Sequence, residues 1–141
     1  MPLLRQFLTF AVVGVVGFCV DSGVLLLAVN LLGANVYWGR LLSFAAAATA
    51  TWYLNARFTF KDARTHTGSG FAQWLRFVCV NAGGAVLNFG VYAWLVTNVV
   101  FAHRHLPLAV ACGSLAGLAV NFTLSRALVF KPPQTTPLPE T

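Results

Sequence analysis

The stretch "FLTFAVVGVVGFCVDSGVLLLAVNLL" (Phe7–Leu32) is an apolar run that carries a single charged residue, Asp21. A helix needs about 20 residues to cross the roughly 30 Å hydrocarbon core of a bilayer. The run is too long for the h-region of a signal peptide, which has about 7–15 residues, although Arg5 precedes it. The stretch therefore predicts a membrane helix that stays in the mature protein.

Three further apolar runs follow it along the chain: Tyr37–Asn55, Trp74–Phe101 and Leu106–Phe130. Only 9% of the 141 residues are charged, whereas a soluble domain has about 25%. Such long continuous runs do not fit the alternating strands of a β-barrel. We therefore expect an all-α integral membrane protein, with four transmembrane helices in one domain (1–131) and a disordered cytoplasmic tail (132–141).

The basic residues predict the orientation of these helices. Seven of them fall on the side of both termini and the central linker: Arg5, Arg57, Lys61, Arg64, Arg76, Arg126 and Lys131. Only Arg40 and Arg104 fall on the other side, so both termini should be cytoplasmic. Because these residues sit at the ends of apolar runs, the net charge of +6 indicates membrane phospholipids as partners and gives no support for nucleic acid.

The two halves of the chain resemble each other. The segment "TWYLNARFTFKD" (Thr51–Asp62) is echoed by "NFTLSRALVFKP" (Asn121–Pro132). An alignment of the halves matches Gly17 with Gly84, Asp21 with Asn88, Thr51 with Asn121, Asn55 with Ser125 and Phe60 with Phe130. We expect two parallel helical-hairpin repeats, 5–61 and 71–131, related by an axis along the membrane normal. The repeated endings should place Phe60 and Phe130 at the level of the lipid headgroups.

Asp21 is the polar residue that most needs an explanation, because a carboxylate in a span costs about 2.5–3.5 kcal/mol on insertion scales. Arg40 enters the second span from the opposite side and could reach Asp21. Two interpretations remain open. Asp21 forms a structural pair with Arg40, or it serves as a substrate or proton site, and the two roles are compatible with each other.

Other polar residues repeat between the halves. Thr51 and Asn55 share one face of the second helix, and Asn121 and Ser125 repeat that face on the fourth. They either form interhelical hydrogen bonds, worth about 0.6 kcal/mol on average, or line a polar cleft between the repeats. Below them lie Arg57 and Arg126, which either anchor the helix ends or capture a phosphate.

The remaining motifs give weaker signals. The sequence "GSLAG" (Gly113–Gly117) predicts close helix packing, either within the chain or in a homodimer. Cys19, Cys79 and Cys112 lack the spacing of metal ligands, and His103 and His105 lack a third ligand. We therefore expect no metal and no other cofactor. We also expect no enzymatic activity, because no nucleophile–base constellation is present.

The first span and the two endings together carry a family resemblance. The segment "RQFLTFAVVGVVGFCVDSGV" (Arg5–Val24), with the two Arg-containing endings that close in Phe-Lys, resembles the GtrA-like family of small four-span membrane proteins. The resemblance implies a multi-pass protein of the bacterial inner membrane. It further implies translocation of a polyprenyl-phosphate-linked sugar for cell-surface polysaccharide synthesis. The substrate-binding residues would then be Asp21, Arg40, Thr51, Asn55, Arg57, Asn88, Asn121, Ser125 and Arg126.

Two other functions remain open at this point. Four short spans with one acid in the first also resemble small multidrug transporters, in which Asp21 would couple ion and solute movement. Alternatively, the chain could be a non-transporting membrane partner of a glycosyltransferase. Because four helices enclose only a narrow interior, a homodimer is a further expectation.

Overall fold

The computed structural model describes residues 1–61 and 70–130, and in these two ranges the chain is helical and contains no strand. The expected tail (132–141), Arg64 and Lys131 lie outside the described residues. The helices are α1 (Leu3–Leu26), α2 (Val36–Leu54), α3 (Gly70–Asn98), the short α4 (Val100–Arg104) and α5 (Leu106–Leu124).

Three of these helices continue into a π-helical turn. The turns are π1 (Leu27–Leu31) after α1, π2 (Asn55–Thr59) after α2 and π3 (Ser125–Val129) after α5. Turns of this kind are rare and occur often at functional sites. The predicted run Trp74–Phe101 is interrupted, because α3 ends at Asn98 and the extended residue Val99 separates it from α4.

Three helical segments are long and apolar enough to cross a membrane: Leu3–Leu31, Gly70–Asn98 and Leu106–Val129. The helix α2 with π2 is comparable in length but less apolar, since it carries Arg40, Arg57 and several hydroxyl side chains. The all-helical class and multiple apolar spans are thus as expected. The fourth crossing stays a prediction.

The helices pack as two hairpins, α1 against α2 and α3 against α5. The turn of the first hairpin uses Gly33, whose φ of 64° is a backbone conformation that glycine adopts without strain. Asn35 then caps α2, because its side chain accepts a 2.9 Å hydrogen bond from the Tyr37 N–H. We call the two units hairpin one (α1, α2) and hairpin two (α3–α5).

The "GSLAG" motif packs inside hairpin two. A Cβ atom at Gly113 would lie 2.6 Å from the carbonyl oxygen of Asn88, and one at Gly117 would lie 2.9 Å from that of Gly84. Real Cβ atoms essentially never come closer than 3.0 Å. The two glycines therefore let α5 approach the α3 backbone, so of the two uses left open, packing within the chain is the one observed.

This packing predicts a clear difference between two glycine substitutions. Gly113→Ala should destabilise the protein by about 1–3 kcal/mol, because a backbone carbonyl cannot move away as a side chain can. Gly90→Ala on α3 should be neutral or stabilising, because its Cβ would meet nothing within 4 Å and alanine favours a helix. Thermal unfolding in detergent measures both. Equal melting temperatures for the two variants would contradict the packing.

The two hairpins meet in an aromatic cluster at one end of the bundle. It contains Phe10, Phe60, Phe77, Phe122 and Phe130, all buried. The rings of Phe60 and Phe130 stack on each other, with centroids 4.7 Å apart and planes 12° apart. We call this the basic end, because four exposed arginines each lie within five residues of a cluster member along the chain: Arg5, Arg57, Arg76 and Arg126.

The depth of Phe60 and Phe130 relative to the headgroups stays a prediction, but their rings are turned into the bundle, since they are only 3% and 1% exposed. The reason lies in the π-helical turns that precede them. The Phe60 N–H donates to the Asn55 carbonyl (2.9 Å), and the Phe130 N–H donates to the Ser125 carbonyl (2.8 Å). These wider turns end each helix so that the following ring points into the bundle.

Two tryptophans add hydrogen bonds between the hairpins. The Trp52 indole N–H donates to Gln73 Oε1 (3.2 Å), and the Trp74 indole N–H donates to Thr49 Oγ1 (3.1 Å). Both join α2 to the first part of α3, whose Phe77 belongs to the aromatic cluster. These two hydrogen bonds thus join the hairpins near the basic end.

Candidate functional site

A cleft of about 240 Å³ lies between the two hairpins. Both hairpins supply its walls, through α1, α2, the start of π2, α3 and α5. Its lining is mostly apolar or aromatic, with a few carboxylate, hydroxyl and amide groups. The lining residues are Phe10, Gly14, Gly17, Phe18, Asp21, Phe44, Ala47, Ala48, Thr51, Asn55, Phe77, Asn81, Leu118 and Asn121.

Two glycines make room for the polar side chains at the centre of this cleft. A Cβ atom at Gly17 would collide with the Thr51 side chain, and one at Gly84 would collide with the Asn121 side chain. Each polar side chain therefore lies directly against the backbone of the helix opposite. Gly17 and Gly84 are matched by the alignment of the halves, and so are Thr51 and Asn121.

Asp21 lies in the cleft wall and is held from two sides. Arg40 Nη1 forms an ion pair with Asp21 Oδ2, and Ser43 Oγ donates a 2.7 Å hydrogen bond to Asp21 Oδ1. The Ser43 side chain is completely buried. The pair with Arg40 is one of the two interpretations of the sequence. Ser43 was missed, although it lies three residues after Arg40 and so near it on the helix.

The other polar groups of hairpin one bond to neighbours in their own helix. Thr51 Oγ1 donates to the Ala47 carbonyl (2.8 Å). Asn55 Oδ1 accepts a 2.8 Å hydrogen bond from Thr59 Oγ1, and both residues are buried. These bonds lie within α2 and π2.

In hairpin two the corresponding atoms have no such partners. Asn121 Oδ1 and Ser125 Oγ are both buried, and neither has a hydrogen-bond partner in the part of the chain that the structure describes. Hairpin two also supplies the amide of Asn81 to the cleft lining, and its Nδ2 donates to the Phe77 carbonyl (2.8 Å). Sequence comparison missed Asn81, because its match in the first half is Gly14 and no polar residue is repeated there.

Some predicted site residues lie outside the cleft lining. Asn88 lies against Gly113 and Gly117 at the contact between α3 and α5. Arg57 and Arg126 are exposed at the basic end, and the aromatic cluster closes the cleft toward them, since Phe10 and Phe77 belong to both. Of the nine predicted residues, Asp21, Thr51, Asn55 and Asn121 line the cleft, with Arg40 bound at its edge. Ser125 is fully buried and does not line the cleft.

Comparison with known proteins gives two matches. A family model described as "GtrA/DPMS, transmembrane domain" matches residues 9–130. A dolichol-phosphate mannosyltransferase of Pyrococcus furiosus is 31% identical over 123 residues, which are 87% of this chain and 33% of that protein. The chain thus spans about a third of the length of this relative. The family match and the apolar helices together make the chain a multi-pass membrane protein.

Proposed function

We propose that this chain, which belongs to the GtrA/DPMS transmembrane-domain family, moves a polyprenyl-phosphate-linked sugar across the bacterial inner membrane for cell-surface polysaccharide or glycan modification. The observation that carries the proposal is the cleft between the hairpins, where hydroxyl and amide groups meet inside an apolar bundle. Sugar hydroxyls need such groups when they leave water. The polyprenyl tail needs none and stays in the lipid.

The proposed arrangement has four crossings in two parallel hairpin repeats, with both termini in the cytoplasm. Three matched features support it. The helices α2 and α5 both end in π-helical turns. The rings that follow, Phe60 and Phe130, stack on each other. The pairs Gly17–Thr51 and Gly84–Asn121 make equivalent contacts in the two hairpins.

The size of the cleft suits a small headgroup. Pockets for drug-sized ligands have about 300–1,000 Å³, so a cleft of about 240 Å³ would take a single sugar ring rather than an oligosaccharide. Arg57 and Arg126 would bind the lipid phosphate at the basic end through charge-assisted hydrogen bonds. Rocking of the two hairpins would separate Phe60 from Phe130 and open the cleft to that end. The chain itself would carry out no chemical step.

One observation favours a second candidate, a non-transporting partner of a glycosyltransferase. The relative from Pyrococcus furiosus is a mannosyltransferase about three times as long as the matched segment. A segment of this kind could anchor or assist a glycosyltransferase, with the exposed arginines of the basic end facing that enzyme. The ion-coupled alternative gains no support, because both carboxylate oxygens of Asp21 already have partners.

Filling the cleft should block transport if the proposal is correct. Gly14 lines the cleft, and a Cβ atom there would meet nothing within 4 Å. Gly14→Leu should therefore place a large side chain in the cleft without disturbing the helix packing. We expect transbilayer movement of a labelled polyprenyl-phosphate glucose, measured in liposomes with the pure protein, to slow at least tenfold.

Gly23→Leu is the matched control on the same helix. Gly23 also has nothing within 4 Å of its Cβ position, but it does not line the cleft, so this variant should transport at the wild-type rate. Equal rates for the two variants would contradict the role of the cleft. If wild-type protein fails to accelerate movement but co-purifies with a glycosyltransferase, the second candidate is the correct one.

A further inference from the structure

We infer that Asn121, with Ser125 one turn beyond it, recognises the hydroxyl groups of the sugar, whereas the polar groups of hairpin one are satisfied by partners inside that hairpin. This inference rests on the proposed function and assigns different tasks to the two halves of one cleft. Among the predicted site residues of the described ranges, Asn121 and Ser125 are the two with buried polar side-chain atoms that lack a hydrogen-bond partner.

At the equivalent position of hairpin one, the polar side chain makes a hydrogen bond that is purely structural. Thr51 lies over Gly17, and its hydroxyl is satisfied by the Ala47 carbonyl of its own helix. Asn121 lies over Gly84 in the equivalent position, but its Oδ1 atom has no partner in the described chain. A threonine at residue 121 could bond to its own helix as Thr51 does. The Asn121 amide also lies against the opposite backbone and lines the cleft, but its oxygen has no such bond.

An unsatisfied buried acceptor is costly, by about 1–3 kcal/mol. A ligand that supplies a donor removes this cost on binding, and an analogue without the donor does not, so such sites discriminate strongly. A sugar O–H group can donate to Asn121 Oδ1. Ser125 can both donate and accept, and it lies four residues further along the chain, at the start of π3, about 6 Å toward the basic end. Ser125 is fully buried and does not line the cleft, so it would contact the sugar after Asn121, once the hairpins separate toward the basic end.

The main test replaces Asn121 with the residue found at its match. Asn121→Thr copies Thr51, so the variant should fold and melt at or above the wild-type temperature. Its affinity for polyprenyl-phosphate glucose and polyprenyl-phosphate mannose should fall at least tenfold. Its affinity for polyprenyl phosphate, which has no sugar, should stay unchanged. Binding is measured with the pure protein in detergent, next to its melting curve without ligand.

Two more variants complete the test. Ser125→Ala should behave as Asn121→Thr does, with a smaller loss of affinity. Thr123→Ala is the control on the same helix, because the exposed Thr123 hydroxyl donates to its own Ala119 carbonyl (2.8 Å). This control should bind all three lipids as the wild type does.

The results separate this inference from the proposed transport. If wild-type protein prefers the sugar lipids to polyprenyl phosphate but does not move them across liposomes, transport is refuted and sugar recognition stands. If wild-type protein shows no such preference, recognition is refuted even where transport occurs. If Asn121→Thr keeps the preference for the sugar lipids, whatever its melting temperature, Asn121 is structural and the inference is wrong.

Discussion

Cross-linking residues 60 and 130 should stop transport of the lipid-linked sugar completely. The Phe60 and Phe130 rings stack at 4.7 Å and close the end of the cleft that faces Arg57 and Arg126. In the proposed mechanism the sugar passes this point only when the two rings separate. With Phe60→Cys and Phe130→Cys joined by a short bifunctional reagent that forms a disulfide with each cysteine, the hairpins could not separate there.

The experiment needs a background without reactive thiols, because Cys19, Cys79 and Cys112 are all free and exposed. They would first be replaced by alanine. Transport into or out of liposomes is then measured before cross-linking, after it, and after cleavage of the linker by a reducing agent. We expect full loss on cross-linking and recovery on reduction.

A second cross-link controls for the chemistry itself. Phe101 and His105 are also in ring contact, with centroids 4.5 Å apart. Both belong to hairpin two, at the end opposite to the basic end, so a link between them does not join the two hairpins. Phe101→Cys with His105→Cys, joined by the same reagent, should leave transport unchanged. Unchanged transport in a fully cross-linked 60–130 protein would show that the sugar does not pass between the hairpins at the basic end.

The large features of this fold were predictable from the sequence because they depend on residue type alone. Long apolar runs with few charges require helices in lipid, and the described residues are helical. Asp21 required a partner inside the membrane, and Arg40 was the cation near enough to supply it. The polar faces of Thr51 with Asn55 and of Asn121 with Ser125 followed from helical spacing and from the repeat. The first three of these residues line one cleft, whereas Ser125 is fully buried outside its lining.

Other features depend on contacts between helices, which periodicity does not contain. The sequence places Phe60 and Phe130 before a lysine at a helix end, but it does not show that the π-helical turns bring both rings inside the bundle. Asn88 looks like a site residue because it matches Asp21, yet close packing of α5 at Gly113 places it in a helix contact. In both cases the outcome depends on backbone geometry that single residues do not reveal.

Removing Arg40 alone should destabilise the protein more than removing the whole ion pair. The Asp21 side chain is 19% exposed, so in Arg40→Val the carboxylate would keep only the Ser43 hydroxyl as a partner. An unpaired carboxylate in a span costs about 2.5–3.5 kcal/mol on insertion scales, and we expect a loss of roughly that size. Thermal unfolding in detergent, at equal protein and detergent concentrations, measures it.

The double variant Asp21→Asn with Arg40→Val should recover most of that loss. Hairpin two carries these residues at the aligned positions, Asn88 and Val110, and holds them without any charge. The losses of stability in the single variants Asp21→Asn and Arg40→Val should therefore be far from additive in the double variant, as expected for residues in direct contact. Additive losses would show that Arg40 and Asp21 act separately. If the double variant also transports at the wild-type rate, the carboxylate serves the structure of hairpin one, and neither substrate binding nor proton coupling depends on it.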